Sequence, residues 1–241
     1  MLDKATIETV GQALFQCLQD RTVMAPLTET YADIDINDAY QISQVLLALR
    51  LNAGETVIGK KIGATSLAVQ EMLGVFQPDF GFLTDAMWAR DGMISTDRLI
   101  APRAEAEIGF RLHKSLQGPG ITGQDVLEAT ESVVACFEIV DSRIRDWKIK
   151  IEDTVADNAS CGVFVLSEEA ISPSGLDLSS MKVIVEKNGQ FLSEGLGSAV
   201  QGAPENAIAW LANTLGEFGI PFNAGEIVLS GSLVPLEPAV A

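Results

Sequence analysis

The chain has 241 residues, 47% of them hydrophobic and 20% charged. That balance suits one large domain, or a compact domain behind a helical N-terminal segment, with a sizeable buried core. With 33 acidic residues against 16 basic ones the net charge is −17, which repels nucleic acid and anionic lipid and sets both aside as partners.

Ile7, Val10, Leu14 and Leu18 recur at helical spacing over residues 5–19. A second helix is predicted over 38–51, with Asn37 as its cap and Gly54 as its stop, after a loop carrying Pro26 and Asp33. Residues 57–62 read as a short strand, followed by a Gly63-Ala64-Thr65-Ser66 turn, a helix over 67–73, and a turn at Pro78-Asp79-Phe80-Gly81. From residue 104 the pattern changes to strands, over 104–112, 132–140, 162–166, 182–186 and 226–229. Asp153 to Ser160 reads as a polar loop, and Gly195-Leu196-Gly197 as a turn. One helix interrupts the strands, with Pro204 at its first position, Ile208, Leu211 and Leu215 on its apolar face, and Gly219 as its stop. Helices in front and mixed strands behind predict an α+β fold, divided into a helical N-terminal segment over 1–75 and a β-rich core over 76–241. No apolar run approaches the ~18 residues needed to cross a bilayer. Met1-Leu2-Asp3-Lys4 lacks the basic-then-apolar order of a signal peptide, so the expected location is the cytoplasm.

The most informative stretch is Pro102-Arg103-Ala104-Glu105-Ala106-Glu107-Ile108-Gly109-Phe110. Side chains alternate along a strand, so Glu105 and Glu107 share one face, while Ala104, Ala106, Ile108 and Phe110 form the core face. Two carboxylates roughly 7 Å apart along a strand repel each other unless both are solvated or a cation bridges them. Glu138 lies in a run that is apolar on both faces, where a lone ionised carboxylate is costly. Three readings stay open: a solvated face for the first two glutamates, a salt bridge from Arg103 or Arg143 to Glu138, or a cation shared by all three. Three carboxylates without Cys or His favour a hard ion, Mg²⁺ or Mn²⁺, over zinc. Cys17, Cys136 and Cys161 show no metal spacing and read as buried small hydrophobes.

Gly54 to Lys61 nearly fits a phosphate-binding loop, but Lys61 stands where Ser or Thr would hold magnesium, and no βαβ frame surrounds it. Lys60 and Lys61 alternate faces on a strand, so at most one points at a shared site. One lysine beside a cation would capture a carboxylate or shuttle a proton, and Lys60 and Lys61 both stay candidates, Lys60 for substrate binding, against the commoner case of two solvated lysines. Asp79 is either a turn former or a general base on a rigid turn. The 153–160 segment is dense in short hydrogen-bonding groups that suit a small polar ligand.

Taken together, these segments resemble the 2-keto-4-pentenoate hydratases of the fumarylacetoacetate hydrolase superfamily. The resemblance is carried by Ile58-Gly59-Lys60-Lys61-Ile62-Gly63, Gln77-Pro78-Asp79-Phe80-Gly81 and Arg103-Ala104-Glu105-Ala106-Glu107. It continues through Val140-Asp141-Ser142-Arg143-Ile144-Arg145-Asp146-Trp147, Asp153 through Gly162, and Leu229-Ser230-Gly231-Ser232. It implies a rolled mixed β-sheet core, Glu105, Glu107 and Glu138 as ligands of Mg²⁺ or Mn²⁺, Lys61 and Asp79 in acid–base work, and Ser160 near the substrate. The implied reaction is addition of water to 2-hydroxypenta-2,4-dienoate, giving 4-hydroxy-2-oxopentanoate, in meta-cleavage breakdown of aromatic compounds. A homo-oligomer is implied too, with association to a decarboxylase or aldolase of the pathway. So is a further glycine-containing strand beyond the point where this sequence stops, at Pro238-Ala239-Val240-Ala241.

The nearest alternative is a 4-oxalocrotonate decarboxylase, whose sequences share the glutamates and the lysine but carry an apolar residue in place of Asp79. Carbon–carbon bond hydrolases of the superfamily use histidine, and the only one here, His113, lies six residues past Glu107, roughly 20 Å along a strand. A non-catalytic partner subunit is the third alternative, and the intact set of three glutamates, Lys61 and Asp79 speaks against it.

Overall fold

A computed structural model describes residues 1–66, 70–71 and 77–239. The chain opens with helices α1 (Lys4–Asp20), α2 (Leu27–Thr30) and α3 (Ile36–Asn52). The second long helix starts two residues earlier than its periodicity predicts. Asp35 rather than Asn37 is the cap, because its carboxylate accepts from the N–H groups of both Asn37 and Asp38, and Asp38 completes a capping box. Ile7, Val10 and Leu14 of α1 pack with Ile42 and Leu46 of α3, and the cluster extends to Ile144 and Val155 far along the chain. Fully burying side chains of this size stabilises the fold by about 1.5–3 kcal/mol each. The helix predicted over 67–73 falls mostly on residues outside those described.

Strands β1 (Val57–Gly63), β2 (Asp79–Thr84), β3 (Arg103–Leu112), β4 (Thr130–Val140), β5 (Cys161–Ile171) and β8 (Ile227–Leu229) form one sheet in the order β2-β1-β8-β3-β4-β5. Short β9 (Glu237–Pro238) pairs with the start of β3. The β1–β8 pair is parallel and the others are antiparallel, so the sheet is mixed, as expected. The path ends at β2 and β5, and the sheet is not closed. β1 falls within residues 1–75 yet lies inside the sheet. β6 (Lys182–Lys187) and β7 (Gln190–Leu196) make a separate hairpin. Gly195 and Leu196, which read as part of a turn, instead finish β7 opposite Val183 and Lys182, because ladder pairing overrides the local glycine signal.

The alternation in β3 decides what each face does. Ile108 and Phe110 join Ile62, Phe82 and Val228 under Ile208 and Leu211 of α6 (Pro204–Gly216). The opposite face carries Glu105 and Glu107. Two short α-helices lie between the strands, α4 (Gly123–Ala129) and α5 (Ile151–Ala156). The second corrects the expectation of a loop over 153–156, while 157–160 form a turn as expected. Polar composition hid the helix, since Asp153 spends its carboxylate on the N–H groups of Leu27, Thr28 and Lys150. No described helix is long and apolar enough to cross a membrane.

Candidate active site

Antiparallel register places Glu138 of β4 directly opposite Glu105 of β3, with Cys136 opposite Glu107. All three glutamates therefore stand on one face, and one carboxylate oxygen from each lies within 4.8 Å of the others. Glu107 is 3% exposed and Glu105 is half-buried, so the reading of a solvated sheet face for these two fails at Glu107, and Glu138 is fully buried. Glu107 Oε1 and Glu138 Oε2 are buried without a hydrogen-bond partner. Oxygen donors this close and this bare fit a hard divalent cation. Glu107 Oε2 is held by the backbone N–H of Gly231 at 2.9 Å. Gly231 has φ +99°, and a Cβ there would run into the Thr65 side chain, so only glycine brings that N–H to the glutamate.

Lys61 of β1 reaches across β8, with its Nζ 3.2 Å from Glu138 Oε1. The salt bridge to Glu138 thus comes from Lys61 and not from Arg103 or Arg143; Arg143 instead pairs with Asp157. Asp79, at the head of β2, sits opposite Gly63 in the register. A Cβ at position 63 would collide with Asp79 Oδ1 and come within 3.3 Å of Lys61 Nζ, so Gly63 is what lets the aspartate and the lysine approach. Asp79 Oδ1 is also buried without a hydrogen-bond partner.

Burial pushes the carboxyl pKa values up. Glu105 rises to about 7, through burial first and then the charge of Glu138. Glu107 is raised well above the carboxylate range by burial, with Glu138 and Glu105 adding repulsion. Burial also raises Glu138 and Asp79, against the pull of Lys61. For Lys61, burial acts to lower the pKa, but Glu138, Asp79 and Glu105 together outweigh it and hold the ammonium charged.

These groups open into a cavity of about 310 Å³ lined by Lys61, Asp79, Glu105 and Ser160, with Arg103 and Trp147 also on its wall. Ser160 lies on a tight turn after α5, where Asn158, Ala159 and Ser160 take φ values of 55°, 51° and 51°. This left-handed path is disfavoured for residues with a side chain and persists only where surroundings enforce it. Here the Asn158 side chain pairs with both backbone groups of Phe82, at 2.8 and 3.0 Å. Arg143 grips Asp157 and also donates to the carbonyls of Asp157 and Cys161. Burial raises the Asp157 carboxyl to about 6 against the pull of Arg143. The Ser160 hydroxyl lies 3.1 Å from that of Thr154, so both present hydroxyls to the cavity.

Of the residues singled out in the sequence, Lys61, Asp79, Glu105, Glu107, Glu138 and Ser160 come together. Lys60 does not. It points through the opposite face, pairs with Glu226 and lies 4.9 Å from the Phe222 ring centroid, so it is no substrate contact. Strand alternation forces this once Lys61 faces the glutamates. Gly231 and Thr154 gain roles that motif reading did not assign, although both lie in segments already noted as dense in glycine or short polar groups.

No family model matches the chain. It is 60% identical over 244 residues to a 2-hydroxyhexa-2,4-dienoate hydratase of Comamonas testosteroni, covering 100% of this chain and 92% of the relative. It is 59% identical over 221 residues to a 2-hydroxypent-2,4-dienoate hydratase of Pseudomonas putida, covering 91% of this chain and all of the relative. Among solved structures, 4-oxalocrotonate decarboxylase from Pseudomonas putida G7, complexed with magnesium and adipate, superposes with a TM-score of 0.95 at 30% identity, covering 100% of this chain and 92% of that one. A fumarylacetoacetate hydrolase family protein from Yersinia pestis CO92 shares the fold at a TM-score of 0.51 and 14% identity, over 78% of this chain and 87% of that one.

Proposed function

Because the chain belongs to the 2-keto-4-pentenoate hydratase family, we propose that it adds water to 2-hydroxypenta-2,4-dienoate, or to a homologue with an alkyl group at C5, giving the 4-hydroxy-2-oxo acid in meta-cleavage breakdown of aromatic compounds. The observation that carries the reading is the Lys61–Asp79 pair, buried beside three clustered carboxylates, with Lys61, Asp79 and Glu105 on the wall of one small cavity.

The reaction needs four proton movements. The 2-hydroxyl loses a proton and C5 gains one, which leaves an unsaturated ketone; water then adds at C4 as it loses a proton, and C3 gains one. Asp79, with its pKa raised by burial against the pull of Lys61, is suited both to hold and to release a proton. Lys61 stays charged beside it and stabilises negative charge as it develops on the 2-oxygen. Ser160 and Thr154 hydrogen-bond the carboxylate end of the substrate, and the apolar Val140 and Ile149 exclude bulk water from the chain carbons.

Glu105, Glu107 and Glu138 would hold Mg²⁺, with Mn²⁺ as an alternative; the bare, buried oxygens of Glu107 and Glu138 and the closeness of Glu105 support the assignment. When bound, the ion supplies Lewis-acid charge toward the carboxylate and 2-oxygen of the substrate. The reading extends to a cytoplasmic homo-oligomer working beside the pathway's decarboxylase or aldolase, as the resemblance implies.

The structural likeness to a decarboxylase keeps that activity as the alternative, and Asp79 favours hydration, since decarboxylases of the resemblance carry an apolar residue there. The test is a panel of C5-substituted dienoates assayed with and without Mg²⁺ or Mn²⁺, following loss of the dienol chromophore. Metal-dependent formation of a 4-hydroxy-2-oxo acid is expected. Release of CO₂ from 4-oxalocrotonate, without hydration of any dienoate, would replace hydratase by decarboxylase.

A further inference from the structure

Among the described residues, Arg103 is the one basic residue besides Lys61 on the cavity wall. It starts β3 on the face that also bears Glu105 and Glu107, and it is half-buried. Among the described residues, no carboxylate of the chain pairs with it; its recorded side-chain contact is the Trp147 ring, whose centroid lies 4.7 Å from the guanidinium carbon. Trp147 is itself fixed, its indole N–H donating to Ala101 O at 2.9 Å. It follows Asp146 in the left-handed region, with φ values of 59° and 55°. Two such residues in succession are costly and persist where the fold enforces them. The enforced path sets the indole against the cavity wall.

Stacking on an aromatic ring uses the face of a guanidinium and none of its in-plane N–H donors. Arg103 is thus a preset fork with its hydrogen-bonding edge unspent. Its surroundings need positive charge. Glu105, Glu107, Glu138 and Asp79 face Lys61, so that lysine and a divalent cation together at most balance the carboxylates and leave no surplus positive charge for an anionic substrate. The net charge of −17 repels such a substrate over longer range as well.

We propose that Arg103, held flat against Trp147 at the cavity wall, anchors the carboxylate of the substrate through its free guanidinium edge. This rests on the hydratase reading for the identity of the acid. Arg103 and Glu105 are alternate residues on one strand face, roughly 7 Å apart along it, a gap the arginine stem spans. A carboxylate has two oxygens, so it can be shared between the Lys61 end of the cavity and Arg103. Trp147 is a positioning residue, acting through the orientation of the guanidinium.

The test measures calorimetric affinity for two unreactive probes, 2-oxopentanoate and its neutral amide, 2-oxopentanamide, with Mg²⁺ present throughout. Arg103→Met keeps much of the apolar stem and removes the fork. It should weaken the acid roughly ten- to hundredfold, as expected for hydrogen bonds between charged groups, and leave the amide within about twofold. Arg103→Lys should restore part of the preference for the acid, Trp147→Phe should keep most of it, and Trp147→Leu should lose an intermediate share. Equal weakening of both probes by Arg103→Met, or no weakening of either, would overturn the anchor. Should Arg103→Met fail to fold, Arg103→Lys decides, because the anchor requires a reduced but persisting preference for the acid over the amide. A wild-type chain that discriminates between the probes through Arg103, yet hydrates no dienoate, would overturn the proposed reaction and leave the anchor standing.

Discussion

Stripping divalent ions should make this protein markedly less stable as the solution is made alkaline, the reverse of the trend usual for paired surface carboxylates. Glu105 is raised from 4.5 to about 7 in the folded chain, and Glu107 and Glu138 are raised as well, burial being the largest cause in each case. A folded-state pKa above the unfolded value means that the folded state binds more protons between the two. Its stability contribution is therefore present below the unfolded pKa and is lost as pH rises through the folded one. For Glu105 the gap of about 2.5 units corresponds to about 3 kcal/mol, reduced toward about 2 because this side chain keeps some contact with solvent. In a chain of this length each kcal/mol is worth roughly 2–4 °C, so the metal-free protein should melt about 5–10 °C lower at pH ~8 than at pH ~5. Bound Mg²⁺ should cancel or invert the trend, because its carboxylate ligands must be ionised and its affinity therefore grows with pH. Thermal melts across this range, with chelator or with excess Mg²⁺, supply the assay, and Glu105→Gln should flatten the chelated curve. A flat metal-free profile in the wild type, or equal stabilisation by Mg²⁺ at both ends of the range, would refute the reasoning.

Asp79→Asn should lower hydration by about 10²–10⁴-fold while Mn²⁺ affinity, read by paramagnetic relaxation, stays near wild type; a large loss of affinity would make Asp79 a ligand instead. Lys61→Met should both raise KM and lower kcat, and added salt should restore little, since a buried pair is poorly screened. Gly63→Ala should cost about 1–3 kcal/mol of stability and reduce kcat more than tenfold, because the new methyl must displace Asp79 from Lys61; melting temperature and steady-state rates measured together would show whether the two losses coincide.

What could be read from the sequence were the features that depend on local alternation. Glu105 and Glu107 share a face because β3 is a regular strand, and Glu138 stood out as a carboxylate in a run otherwise fit for a buried strand. The same logic separates Lys60 from Lys61, but only the cross-strand register shows which of them meets the glutamates. Other features depend on partners far along the chain. α5 looks like a loop until Asp153 is seen capping backbone groups at Leu27 and Thr28, more than a hundred residues away. The N–H of Gly231 reaches Glu107 over a similar separation, and Arg103 meets Trp147 only because a left-handed turn redirects the chain. No window of sequence contains these contacts, so periodicity and local propensity carry no trace of them.

The strand order also bears on how the molecule is made. β8, contributed by residues 227–229, is the sole strand that bridges β1, which bears Lys61, and β3, which bears two of the glutamates. During synthesis both flanking ladders can form while the slot between them stays vacant, since the residues that fill it are translated more than a hundred positions after β3. Until then two strand edges lie open, poised to accept a foreign strand. Over that interval the two parts of the sheet share no ladder and are linked only by contacts outside it, such as those of Asp153 with Leu27 and of Asn158 with Phe82. A ribosome stalled before residue 227 would release a chain whose lysine and glutamates are all present but lack the strand that sets their spacing.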